Sequence, residues 1–156
     1  MPEKNSKIEK VLSVLEEAKL DAALLAQPEN VFYITDFPVL PTSPNRLLNL
    51  VRNTSPAFVL ITKEGNASLL VTDAAQDVAQ KTAKNINSLY TYRTGTYIFR
   101  EKESIKRRYF EDTPFKALLS MLKSEVKGNK IGIDLKYLSN FVVENIKETL
   151  KGNYEM

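Results

Sequence analysis

The sequence predicts an α/β fold, a three-layer sandwich in which a mixed β-sheet is flanked by helices. Three observations carry this. Stretches with apolar residues at helical spacing alternate with short apolar runs along most of the 156 residues. Those runs lack polar alternation, the pattern of strands covered on both faces. One pair of runs, Ala57–Thr62 and Ala67–Thr72, is joined by only four residues, so one strand pair is antiparallel while helix-joined strands run parallel.

The elements follow in order. Ser6-Lys7-Ile8-Glu9 fits a capping box. Behind it Ile8, Val11, Leu12, Leu15 and Ala18 share one face, predicting a helix from Ser6 to Lys19. Asp21–Ala26 reads as an internal strand. Pro28 suits a helix start, and a short helix to Ile34 is expected to carry Val31, Phe32 and Ile34 inward. Pro38, Pro41 and Pro44 predict a loop, with Leu47–Val51 as a further strand. Gly65 supplies the positive φ that the hairpin turn needs. Asp73 is placed to cap a helix running to Lys84, with Ala75, Val78, Ala79 and Ala83 inward.

Ser88–Tyr92 reads as a strand, whereas Arg93–Asp112 is polar, basic and without period. Thr113-Pro114 then opens a helix with Phe115, Leu118, Leu119, Leu122 and Val126 on one face, and Gly128 is expected to end it. Lys130–Asp134 is a strand. Ser139 is placed to cap a last helix carrying Phe141, Val142, Asn145, Ile146 and Leu150. No internal repeat or low-complexity tract appears, and one domain suffices.

Composition narrows the function. Hydrophobic residues make up 43% and charged residues 26%, values of a globular protein. A net charge of +3 falls short of a nucleic-acid binder's basic footprint. No apolar run approaches the ~20 residues that span a bilayer, and the first residues hold no apolar signal core. A cytoplasmic protein is expected. The chain has neither cysteine nor histidine. Ser-His, Cys-His, thiolate-metal and histidine-metal chemistry are therefore closed to it.

Few residues invite a chemical reading. Asp73 and Asp77 stand at i and i+4, so two carboxylates could share a helix face, but a cap and a solvated acid explain them more simply. Lys102, Lys106, Arg107 and Arg108 cluster beside Tyr109 and Phe110, a composition that can grip single-stranded nucleic acid. Glu101, Glu103, Glu111 and Asp112 dilute that field, which argues against such a partner. Phe32 and Phe37 read as core. Gly65 and Gly95 are turn glycines, and no glycine-rich phosphate loop is present.

Four blocks carry a resemblance. Leu20-Asp21-Ala22-Ala23-Leu24-Leu25 follows a helix, and Gln27-Pro28-Glu29-Asn30-Val31-Phe32-Tyr33-Ile34-Thr35-Asp36-Phe37 comes next. Ala57–Gly65 forms the first arm of a hairpin, and Lys130-Ile131-Gly132-Ile133-Asp134 precedes Tyr137-Leu138-Ser139. In this order the blocks resemble the N-terminal domain of the creatinase/prolidase family of Xaa-Pro dipeptidases and aminopeptidases P, with the second block the most specific. They span Ser6 to Leu150. Asp36 stands where that family often has glycine, and Asp tolerates a left-handed backbone better than most residues.

The resemblance implies a ribonuclease H-like sandwich for residues 1–156 without peptidase activity of its own. In the family, catalysis belongs to a C-terminal pita-bread domain, absent from this chain. That domain holds two divalent ions (Mn, Co or Zn) on two Asp, one His and two Glu, and activates a bridging water. The N-terminal domain packs over the catalytic site, helps to form a homodimer and limits access to short proline-containing peptides. Its implied partners are therefore its own catalytic domain, a second copy and the parent's peptide substrate. If the Arg93–Asp112 loop overhangs the catalytic mouth, Tyr97, Phe99 and Arg100 are the substrate-gating candidates, Arg100 pairing with a peptide carboxylate; a structural role is the plainer alternative. A stand-alone binding module, a creatinase-like amidinohydrolase or a peptidase-like chaperone would use the same N-terminal architecture.

Overall fold

A computed structural model describes residues 6–39, 56–93, 108–134 and 140–155, with backbone alone for 108–110. The first helix, α1 (Ser6–Ala18), is followed by β1 (Ala22–Leu25) and α2 (Pro28–Thr35). The hairpin β2 (Phe58–Thr62) and β3 (Ala67–Thr72) leads through a 3-10 turn (Asp73–Ala75) to α3 (Gln76–Thr82). β4 (Ser88–Tyr92), β5 (Arg108–Glu111), α4 (Pro114–Glu125), β6 (Ile131–Asp134) and α5 (Asn140–Leu150) complete the described chain.

The six described strands lie in the order β5-β4-β3-β2-β1-β6. β2 alone runs against its neighbours, pairing antiparallel with β1 and β3; the other pairs are parallel. The hairpin register sets Phe58 against Leu70 and Ile61 against Ala67. Gly65 takes φ of +84° in the turn, as its position requires.

Strand alternation divides the core in two. Leu24, Phe58, Leu60, Leu70, Tyr90 and Ile131 face α4 and α5. Val59, Ile61, Leu69, Val71 and Leu89 face α2 and α3, with α1 packed against that side. The sandwich is thus three layers deep. α4 begins as its sequence indicates: Thr113 Oγ1 accepts from Lys116 N, and Pro114 occupies the first turn.

Several expectations are corrected. In α1 Leu15 is buried, Val11 and Leu12 are half-buried, and Ala18 is exposed, because α1 rests on the sheet by only one narrow stripe. α2 buries Val31 and Ile34, which leaves Phe32 off that stripe and 53% exposed. Phe141 is likewise exposed on α5, whose inner face is Val142, Ile146 and Leu150. Thr72, not Asp73, caps the turn after β3 by accepting from Ala75 N, and α3 ends at Thr82 rather than Lys84. Arg93–Asp112 contains a strand, β5, which pairing with β4 imposes on a polar sequence. Gly128 does not end α4; the helix stops at an extended Val126 whose N–H still donates to Leu122 O. The expected strand Leu47–Val51 and the cap Ser139 lie outside the described residues.

Candidate functional site

The two ends of the sheet differ in how they are finished. At the end where the parallel strands begin, Asp21 is the organising side chain. One carboxylate oxygen takes Lys63 Nζ, and the other accepts from the backbone N–H groups of Asn129 and Lys130. This ties β1 to the hairpin turn and to the start of β6. The Lys63 hydrogen bond, followed by the Lys130 N–H, holds the Asp21 carboxyl below the usual carboxylate range. The same hydrogen bond pushes the Lys63 ammonium up. Gly128 explains itself here: a Cβ would run into the Asp21 carboxylate, so a side chain at this position would push that carboxylate off its partners. Nearby, Glu125 Oε1 accepts from both Ser88 Oγ and Tyr90 OH, fastening the end of α4 to β4.

At the opposite end, where the parallel strands finish, the chain leaves the sheet. Asn30, in the first turn of α2, donates to Asp134 Oδ2 at the end of β6 over 2.6 Å. Two blocks of the sequence resemblance therefore meet in one charge-assisted bond. Tyr92 OH donates to Pro56 O across the sheet. Burial, helped by the Asp73 charge, pushes the Tyr92 phenol far above its ordinary value, so it stays a donor. The described stretch 56–93 ends at Arg93, just past β4, and Tyr97, Phe99 and Arg100 fall in the residues that follow it.

α2 closes on a tightly held turn. Asp36 is left-handed, with φ of +55°, and its N–H donates to Phe32 O. Thr35 Oγ1 donates to Val31 O and accepts from Phe37 N. Asp36 receives Lys7 at 3.0 Å and Lys84 at 3.4 Å, and Lys7 also stands over the Tyr33 ring. The Lys7 hydrogen bond, the largest influence, draws the Asp36 carboxyl below its ordinary value. Phe37 is buried as expected, while Phe32 and Tyr33 present an exposed aromatic pair.

The sequence candidates fare unevenly. Asp73 is buried in the 3-10 turn whereas Asp77 is exposed on α3, so interior and solvent divide the pair. Tyr97, Phe99 and Arg100 lie outside the described residues, as do Lys102, Lys106, Arg107 and Gly95. Sequence reasoning missed the Asn30–Asp134 contact and the Asp21 junction. Asn30, in the Pro-Glu-Asn block, was a signal for the first only through the resemblance. Among the described residues no three Asp or Glu side chains converge into a group that could hold a metal ion. Among the same residues no helix is long and apolar enough to cross a membrane.

These features define a three-layer α/β domain whose most distinctive polar contact joins α2 to the finishing end of β6. The chain belongs to the Creatinase/Prolidase N-terminal domain family, whose sequence profile matches residues 7–156. A search of curated protein sequences found no match. Among solved structures the chain is similar to a proline dipeptidase from Streptococcus pneumoniae, with a TM-score of 0.65 at 16% identity, covering 97% of this chain and 89% of that one. It is similar also to the creatinase/prolidase N-terminal domain of an X-Pro dipeptidase from Streptococcus pyogenes, with a TM-score of 0.60 at 12% identity, covering 97% and 98%. A prolidase from Pyrococcus horikoshii gives a TM-score of 0.56 at 19% identity, covering 94% of this chain but only 30% of that longer one. At these identities the likeness is one of fold.

Proposed function

We propose that this chain acts as the non-catalytic N-terminal domain of a cytoplasmic Xaa-Pro dipeptidase or aminopeptidase P-type metallopeptidase, shaping substrate access and taking part in a homodimer. The observation that carries this reading is the family match over residues 7–156. The Pyrococcus prolidase supports it, because there a fold like this one accounts for under a third of a longer chain.

The family's two-metal centre does not fit the residues present. It needs a histidine, and this chain has none; the described carboxylates stay apart. The domain's contribution is therefore steric and electrostatic. The finishing end of the sheet is its working face: the Asn30–Asp134 bond holds α2 against β6 there, and the chain departs from β4 there toward Tyr97, Phe99 and Arg100. In this reading Arg100 pairs with a substrate carboxylate and the two aromatics narrow the mouth of the neighbouring site.

Hydrolysis of Xaa-Pro dipeptides is the test. The purified chain with added Mn²⁺, Co²⁺ or Zn²⁺ is expected to give no turnover. A catalytic domain of the family, assayed with and without the chain, is expected to lose activity on long peptides and keep it on dipeptides when the chain is present. Metal-dependent turnover by the chain alone, abolished by replacing its acidic residues, contradicts the proposal. So does an unchanged peptide-length profile.

A further inference from the structure

Among the described residues β6 is the last strand of the sheet on its side, and a sheet edge presents unpaired backbone groups that invite another strand. Its outward groups can be assigned. Lys130 O accepts from Asp21 N, so Lys130 and, two residues on, Gly132 turn their backbone groups toward β1. Ile131 and Ile133 face away from the sheet. After α5 the chain returns to this edge: Ile131 N donates to Glu155 O over 2.8 Å, and Glu155 N donates to Asn129 O over 2.7 Å. Glu155 thus lies parallel beside Lys130, and Tyr154 packs against the core beneath. Among the described residues this short segment makes the backbone hydrogen bonds on the outer edge of β6.

The strand under it is suited to a copy of itself. Antiparallel pairing about Gly132 sets Ile131 of one copy against Ile133 of the other, twice. Each such pair exchanges both N–H···O bonds, giving about four backbone hydrogen bonds. Gly132 then meets Gly132 at the closely spaced, non-hydrogen-bonded position, where an absent side chain is an advantage. No charge interrupts Ile131-Gly132-Ile133, the usual guard on an exposed edge. We propose that the outer edge of β6 is a self-pairing surface masked by the Asn153–Glu155 segment, and that lifting this segment joins two copies through antiparallel β6 strands. The mask replaces the missing charge.

Two variants open the edge. Glu155→Pro removes the N–H donated to Asn129 while keeping the chain length, and a chain cut after Gly152 removes the segment. Sedimentation of each is compared with the intact chain over a range of concentrations, and amide hydrogen exchange is followed at Ile131 and Ile133. In the intact chain Ile131 exchanges slowly and Ile133 quickly. In the opened variants the mass rises with concentration to twice that of the intact chain, and Ile133 becomes slow. Adding Ile133→Pro removes an outward N–H without touching the β1 ladder, and it should abolish the rise. Opened variants with an unchanged far-UV spectrum, the mass of the intact chain throughout and fast exchange at both isoleucines overturn the proposal. If the shortened chain does not fold, Glu155→Pro decides alone. Because each mass is read against the intact chain, a dimer formed through another face leaves the outcome legible.

Discussion

The end of the sheet where the parallel strands begin and the end where they finish are built from the same strands, yet their polar side chains do opposite work. At the first, Asp21 gathers a lysine and two backbone N–H groups, Gly128 permits the approach, and Glu125 holds two hydroxyls of β4. Everything there closes inward. At the second, the described side-chain contacts are separate local ones: Asn30–Asp134, Tyr92–Pro56, and the bonds of Thr72 and Asp73 to the turn after β3. The difference is one of cross-linking: the first end is tied across several elements, whereas the end where α/β sheets often place their binding crevice is held by separate local bonds.

The largest effects should therefore fall on the closing end. Gly128→Ala forces a methyl group onto a carboxylate already fixed by its partners, and the expected loss is about 1–3 kcal/mol of overpacking, read by thermal or urea unfolding. Glu125→Ala removes the acceptor shared by Ser88 Oγ and Tyr90 OH, a loss of about 1–3 kcal/mol. A smaller effect is expected at the other end: Asn30→Ala removes one half-buried bond to Asp134 and should cost about 1 kcal/mol. If it matches or exceeds Gly128→Ala, the contrast between the ends fails.

Acid sharpens the comparison. Asp21 and Asp36 have folded-state values below their ordinary 3.8, so their partners contribute stability that is fully present above that value and fades as pH falls through the depressed ones. The gap in melting temperature between the wild type and Asp21→Asn should be widest near neutrality and close under strongly acidic conditions. A gap that widens as pH falls contradicts the assignment. The smallest effect is expected at Asp36. Asp36→Gly relieves a left-handed backbone while losing two surface ion pairs, and should leave the melting temperature nearly unchanged, whereas Asp36→Ala should lower it.

Local chemistry was the legible part of the sequence. The β2–β3 hairpin, the Thr113-Pro114 start of α4 and the buried run of β1 are each announced by residues a few positions apart. The contacts that distinguish the two ends are not. Asp21 meets Asn129 across 108 positions, and Asn30 meets Asp134 across 104. Gly128 looked like a helix terminator because that is the commonest local reason for glycine after a helix; its real constraint is a carboxylate on a distant strand. β5 was hidden because pairing with β4, not its own polar pattern, makes it a strand. Phe32 was misplaced for a related reason: an eight-residue helix has one narrow inner stripe, and Val31 and Ile34 fill it.

The central claim is that this family member works through the finishing end of its sheet and not through chemistry of its own. Hydrogen exchange of the chain, alone and with a metal-loaded catalytic domain of the family, tests it most directly. The account predicts new protection at Asn30–Tyr33, Arg93 and Asp134, with Asp21, Lys63 and Asn129 unchanged. Protection confined to Asp21, Lys63 and Asn129, or none anywhere, contradicts it.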